Sequence, residues 1–233
     1  PDYLKMYKGH DEAAHYYGCI TEMDEQVGRV REKLREWGVA ENTLIFFCSD
    51  NGPKGKAVKG KKAGVTAGLR GRKRSLFDGG VRVPAIAEWP GKLQAGTTVE
   101  TPLSTLDYFP TIGKLTGYEM PDSRPIDGQD ILPILAGETD KRGKSIPFRA
   151  KNGGTLVKGR YKFVLSKSEL YDLSSDWSEE NNVSAVHPER VELMRKELMS
   201  YLESMKKSHA GDDYNDPSYK PVDQWSELRG KKK

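Results

Sequence analysis

Five consecutive apolar residues, Leu44-Ile45-Phe46-Phe47-Cys48, run straight into Ser49-Asp50-Asn51-Gly52. A run this short, without polar alternation, predicts a strand buried on both faces of a parallel sheet. Open α/β sheets collect ligands in the crevice beyond the carboxyl ends of such strands. Asp50 and Asn51 would stand there with a carboxylate and a carboxamide, two hard oxygen donors of the kind Ca²⁺ or Mg²⁺ takes. The same tetrapeptide also reads as a plain turn, because Asp, Asn and Gly are common turn formers.

The flanking sequence extends the α/β reading. Ile20, Met23, Val27, Val30, Leu34 and Trp37 recur at three- and four-residue steps and predict an amphipathic helix that Gly38 ends. Helix, short loop and strand make half of a βαβ unit. A second strand is expected over Val81–Trp89, closed by Pro90-Gly91, and a helix over Thr105–Leu115 with Pro110 near its start. Pro121–Arg124 and Gly137–Gly143 read as loops.

The pattern changes near residue 150. Gly154–Val157 and Tyr161–Leu165 predict a hairpin around Lys158-Gly159-Arg160, with a further short strand at Leu170–Leu173. Pro188 then opens a helix whose buried face is Val191, Met194, Leu198, Leu202 and Met205. From His209 onward the chain is polar and is expected to wrap over a surface or fray. The expected division is an α/β part over 1–148, a small antiparallel sheet with a helix over 149–210, and a polar tail over 211–233. No internal repeat is present.

Composition narrows the classes. Hydrophobic residues make up 36% and charged residues 31% of the 233, a polar globular balance with no apolar run near the roughly 20 residues a membrane helix needs. The chain opens Pro1-Asp2-Tyr3 without a signal-peptide pattern, so a removed leader or a missing N-terminal part is expected. Cys19 and Cys48 are too few for a disulfide framework, and Cys48 is expected to be a small buried hydrophobe.

Between Gly52 and Phe77 stand Lys54, Lys56, Lys59, Lys61, Lys62, Arg70, Arg72, Lys73 and Arg74, with no acid among them. Such a run is either a solvated loop or an anion site. It leads from the Asp50-Asn51 pair into Asp78-Gly79-Gly80, whose glycines permit close backbone approach. A cation beside a metal at a strand end suits transfer of a phosphate or sulfate group, where both would share the charge on the oxygens in the transition state.

The order of motifs resembles the second half of the type I sulfatases. Tyr16-Tyr17-Gly18, Met23-Asp24 and Ser49-Asp50-Asn51-Gly52 carry the likeness first. Leu69-Arg70, Lys73, Phe77-Asp78-Gly79-Gly80-Val81-Arg82-Val83-Pro84 and Trp89-Pro90-Gly91 continue it. Leu106-Asp107-Tyr108-Phe109-Pro110-Thr111, Asp127-Gly128 and Glu169-Leu170-Tyr171-Asp172-Leu173 with Glu180-Asn181-Asn182 complete it over nearly all of residues 10–210. The branch of arylsulfatases and N-acetylgalactosamine-6-sulfatases is the most similar.

The resemblance implies an alkaline-phosphatase-like fold: a mixed, mostly parallel sheet flanked by helices, with a small antiparallel sheet and C-terminal helix after it. It implies hydrolysis of sulfate esters, of a carbohydrate or an aryl group, with Ca²⁺ and a formylglycine nucleophile. Asp50 and Asn51 match two of the family's Ca²⁺ ligands, and Asp50 would also lie near the nucleophile. Lys73 matches the lysine that contacts the sulfate ester and stabilises the departing oxygen. Asp78 stands where Glu is commoner and is expected to be structural to the loop, and Arg82 to tie that loop to the sheet. A periplasmic or secreted location is implied as well.

Other family parts are missing. Neither Cys19 nor Cys48 fits the Cys/Ser-x-Pro/Ala-x-Arg motif from which formylglycine is made, and the early Asp pair of metal ligands is absent. The chain is therefore expected to hold half of a metal site and to be inactive alone. His10 and His15 are expected at the surface, His187 as a helix cap, and His209 has no assigned role. Two alternatives stand beside the sulfatase reading. One is a phosphate or phosphonate monoester hydrolase of the same superfamily, which the scarcity of His disfavours. The other is a non-catalytic binder of acidic polysaccharide through residues 54–74. Nucleic acid is not expected, since aromatic residues are not interleaved with the basic loop. The oligomeric state is left open.

Overall fold

In the computed structural model, residues 2–10, 12–55, 64–122, 124–151, 153–214 and 216–226 are described. They form two compact units, residues 1–97 and 98–233. The change of pattern expected at 148/149 falls inside the second unit.

In the first unit, helix α1 (Asp2–Met6) precedes the long helix α2 (Glu12–Glu36). Gly38 ends α2 at φ 68, with its N–H on the carbonyl of Arg35 and that of Val39 on Leu34. Strand β1 (Ile45–Cys48) lies within the expected segment. A single helical turn, α3 (Asp78–Val81), leads to strand β2 (Ala85–Glu88), and the two strands pair antiparallel with Ile45 opposite Glu88 and Cys48 opposite Ala85.

Three expectations are corrected here. The strand at 44–48 is half-buried along its whole length, Cys48 included, and its partner is antiparallel. Parallel neighbours are not among the described residues. The second strand is shorter than Val81–Trp89, because Arg82 closes the α3 turn onto the Asp78 carbonyl and Pro84 has no N–H to give the ladder. The α2 stripe is not covered: Ile20, Met23, Val30 and Trp37 are exposed, Trp37 by 69%. Instead α2 is tied to β2 through polar atoms. Arg31 donates from Nε and Nη2 to the two carboxylate oxygens of Glu88, at 2.6 and 2.9 Å.

The second unit begins with a 3-10 turn, Thr105–Asp107, and helix α4 (Tyr108–Thr116). Pro110 sits in the first turn of α4, where a missing N–H costs nothing, and Gly117 caps the end at φ 68. Asp107 is fully buried and fully satisfied. Its carboxylate accepts from the backbone N–H groups of Ser104 and Gln129 and from both terminal nitrogens of Arg142, at 2.6 and 2.7 Å. Two loops and a helix start are thereby fixed on one buried, bidentate ion pair. The short helix α5 (Leu132–Leu135) follows.

Strands β3 (Ile146–Ala150), β4 (Gly153–Lys158), β5 (Tyr161–Val164) and β6 (Glu169–Asp172) form an antiparallel meander in chain order. Strand β3 was not among the expected strands, and it carries Pro147. It is an edge strand, where proline is tolerated. Helix α6 (Pro188–Ala210) lies on this sheet as its heptad-like face demands: Met194, Leu198 and Leu202 join Leu156, Tyr161, Phe163 and Leu170 in one core, with Val191 and Met205 at its margin. His187 occupies the position before Pro188, but its side chain makes no cap bond. It packs edge-on against Tyr161 instead. The tail after Gly211 does wrap. Trp225 lies against the Arg149 guanidinium at 3.8 Å, and His209 Nε2 meets Asp223 at 2.8 Å. No helix among the described residues is long and apolar enough to cross a membrane.

The other face of the sheet is covered by the loop after β6. There Lys162 and Glu179 are both fully buried and paired at 2.9 Å. Losing one partner strands a buried charge, whereas losing both does not. Lys162→Met is expected to cost about 3–5 kcal/mol in urea unfolding, and the double change Lys162→Met, Glu179→Leu to recover most of it. Asp127 is half-buried, and burial raises its pKa above the usual carboxylate value, with Asp213 adding to the rise and Lys144 opposing it. Its ionisation therefore opposes folding, a penalty that grows as pH rises through the unfolded pKa of about 3.9 and is complete above the folded one. Asp127→Asn should raise stability at pH 7 and change it little at pH 3, read from denaturation midpoints at both pH values.

Candidate active site

The segment after β1 is held by backbone atoms. Ser49 N–H donates to the Pro84 carbonyl at 3.3 Å, one rung beyond the β1–β2 ladder. The Ser49 hydroxyl donates to the Asn51 carbonyl at 3.0 Å, and Gly52 N–H donates to the Gly80 carbonyl at 3.0 Å. Gly52 lies against the α3 turn so closely that a Cβ there would be 1.9 Å from the Gly79 carbonyl oxygen. A Cβ on Gly79 would in turn stand 2.3 Å from the Gly71 oxygen, and one on Gly80 2.3 Å from the Ser75 oxygen. Three segments, 50–53, 70–75 and 77–81, thus meet through the bare backbone of these glycines.

The basic segment is drawn into this contact. Gly79 N–H donates to the Arg70 carbonyl at 2.7 Å, and Lys73 N–H to the Pro53 carbonyl at 3.1 Å. Arg72 Nη2 donates to the carbonyls of Gly64 and Lys54, at 2.8 and 3.3 Å. The Arg70 guanidinium lies 3.8 Å over the Phe77 ring. Arg74 adopts φ 77, a conformation that costs a residue with a side chain about 1 kcal/mol. Lys56, Lys59, Lys61 and Lys62 lie outside the described residues.

The result brings Lys73 Nζ to 4.0 Å from Asp50 Oδ2. The Asp50 side chain is 81% exposed and that of Lys73 40%, so this pair is worth at most about 1 kcal/mol. Four backbone hydrogen bonds at about 1 kcal/mol each outweigh it. The proximity of the two charges is therefore set by the backbone, not by their attraction. Asn51 spends its amide nitrogen on the Gly52 carbonyl at 3.2 Å. That bond leaves its side-chain oxygen for another donor or a cation. With the exposed Asp50 it forms a pair of hard oxygens, a donor set that fits Ca²⁺. Among the described residues no three His, Cys, Asp or Glu side chains group as a metal site.

Asp78 is buried in the first turn of α3, 3.9 Å from the half-exposed Arg82. His10 packs against Tyr7 and Tyr17 at the exposed start of α2, and His15 is exposed. The roles of Gly52, Gly71 and Arg72 in fixing the loop were not read from the sequence. The spacing of glycines on both sides of the basic run was the available signal.

The family model for sulfatases matches residues 1–118, just over half of the chain. Steryl-sulfatase from Homo sapiens is 37% identical over 151 residues, covering 64% of this chain and 26% of that protein. N-acetylgalactosamine-6-sulfatase from Sus scrofa is 36% identical over 181 residues, covering 75% of this chain and 32% of that one. Ps i-CgsB, solved in complex with k-i-k-neocarrahexaose, aligns with a TM-score of 0.74 at 26% identity, over 86% of this chain and 46% of that one. The chain belongs to the sulfatase family, and its mixed α/β architecture is that of the solved sulfatases. It spans about a quarter to a third of the length of these curated relatives.

The glycine contacts make a direct prediction. Gly52→Ala forces the 50–53 and 77–81 segments apart and should destabilise the first unit by about 1–3 kcal/mol. The amide of residue 52 should lose its hydrogen-exchange protection, whereas Gly28→Ala, where an added Cβ meets nothing within 4 Å, should not lower stability.

Proposed function

We propose that this chain supplies one side of a sulfatase active site, and that the full-length protein hydrolyses sulfate esters, of carbohydrates in the first place. The observation that carries the reading is the convergence of Asp50, Asn51 and Lys73 at the end of β1, with Lys73 Nζ 4.0 Å from Asp50. Family membership supports it.

Asp50 and Asn51 would hold Ca²⁺ through a carboxylate and a carboxamide oxygen. Two such ligands are few against the 6–8 that ion takes, so further oxygens complete the site. A bound Ca²⁺ supplies positive charge to the sulfate oxygens. Lys73 donates from its ammonium to the ester oxygen as that atom gains negative charge, a task for a compact charge with rotatable donors. The backbone bonds that fix the 70–75 segment keep this donor in place before substrate arrives, so little reorganisation is needed in the transition state. The nucleophile in this proposal is formylglycine. Neither cysteine of the chain stands in the motif that yields it. A periplasmic or secreted location belongs to the same proposal.

The site favours this reading over its alternatives. Against a phosphate or phosphonate hydrolase of the same superfamily stand the matched family and the curated relatives, which are sulfatases. A passive polysaccharide binder needs only the charge of residues 54–74, and would not require an Asp-Asn pair locked beside Lys73. In the full-length protein, Lys73→Ala and Asn51→Ala should each lower kcat/KM for an aryl sulfate by about 10²–10³-fold. Turnover near wild type in both variants rejects the assignment. Calcium chelation should inactivate the wild type reversibly.

A further inference from the structure

Arg72, Lys73 and Arg74 are three consecutive cations with three different surroundings. Arg72 is spent on the backbone carbonyls of Gly64 and Lys54. Lys73 stands beside Asp50. Arg74 is exposed, and among the described residues its side chain has no hydrogen bond, ion pair or ring contact.

The backbone at Arg74 selects against arginine. Ser75 N–H donates to the Arg72 carbonyl at 2.8 Å, which closes a four-residue turn over 72–75. Of its two central residues only Arg74 has positive φ, at 77. That is the pattern of a type II turn, whose third position is ordinarily glycine or asparagine. Glycine does fill a similar conformation nearby, at Gly71 with φ 80. An unfavourable backbone conformation kept by a long charged residue in a candidate active site points to a use for the side chain.

The turn is also anchored. Lys73 N–H is held by Pro53 and the Arg72 guanidinium by two carbonyls, which fixes the turn on which Lys73 and Arg74 are neighbours. Two long cationic side chains from adjacent positions address anions on one sugar ring or on neighbouring rings. A guanidinium matches the paired oxygens of a sulfate or carboxylate, where an ammonium acts as a point charge.

We infer that Arg74 is a specificity-determining residue that binds a second anionic group of the substrate, a sulfate or a carboxylate next to the sulfate ester held by Lys73. The inference rests on the sulfatase reading of this site. The substrate class it selects is a carbohydrate with at least two neighbouring negative charges.

The test is calorimetric binding of three disaccharides to the full-length protein: one monosulfated and otherwise neutral, one disulfated, and one monosulfated with a uronate. Arg74→Asn removes the charge but keeps a residue that tolerates the turn. It should weaken the disulfated or the uronate-bearing ligand about tenfold and leave the neutral monosulfated one unchanged, and which of the two weakens identifies the second anion. Arg74→Lys should retain part of the preference. Lys92→Asn, at the other end of the β1–β2 ladder, should change none of the three, and Lys73→Ala should weaken all. Equal loss of all three ligands in Arg74→Asn, or no loss, overturns the inference while the Lys73→Ala result keeps the sulfatase reading. Unchanged binding in Lys73→Ala, or no binding of any probe by wild type, overturns both.

Discussion

Contact between bare backbones is the constraint on which the candidate site depends. Gly52, Gly79 and Gly80 let three chain segments meet where any Cβ would collide with a carbonyl oxygen, and a Cβ on Gly71 would collide with the Ser75 side chain. The hydrogen bonds from Gly52 to Gly80, from Gly79 to Arg70 and from Lys73 to Pro53 exist only at that separation. Lys73 and Asp50 are neighbours as a consequence. An exposed ion pair could not have brought them together, since its attraction in water is smaller than the entropy of ordering two loops. The chemistry here is carried by charged side chains, but its geometry is carried by residues with none.

Much of this was legible along the chain, and the failures have common causes. Strands β4 to β6 and α6 were read well because their signals are local: the Lys158-Gly159-Arg160 turn between β4 and β5, a Pro at the first helical position, and a three-four spacing from Val191 to Met205. The strand at 44–48 was found for the same reason. The strand at 85–88 was expected too, within Val81–Trp89, but its antiparallel pairing with β1 was not, because strand pairing is decided by what else lies beside it. Strand β3 was not read: Ile146–Ala150 holds a proline, which a central strand excludes and an edge tolerates, and edge status is not written in a pentapeptide. The order of Asp50, Asn51 and Lys73 was visible, and their convergence rested on likeness to a family. The supporting bonds of Arg72 and the turn at Arg74 join atoms whose meeting no spacing rule predicts.

Helix α2 separates periodicity from burial. Its apolar stripe has the spacing of a core-facing helix, yet Ile20, Met23, Val30 and Trp37 are exposed within the described residues. The helix is held to β2 by the bidentate Arg31–Glu88 pair and to α1 by its start. A hydrophobic pattern records which face is fit to be covered. The structure of these residues alone does not cover it.

The meander of the second unit has a property that follows from how its two sides end. At β3, Pro147 removes a donor from the outer row, and Arg149 is occupied by Trp225 and by the Ser226 carbonyl. At β6, Leu170 gives its N–H to the Asn182 side chain and takes a bond from Val183 N–H. Neither border offers an unbroken ladder to another strand. This sheet is thus a finished tile: it resists growth by strand exchange or fibrillar stacking.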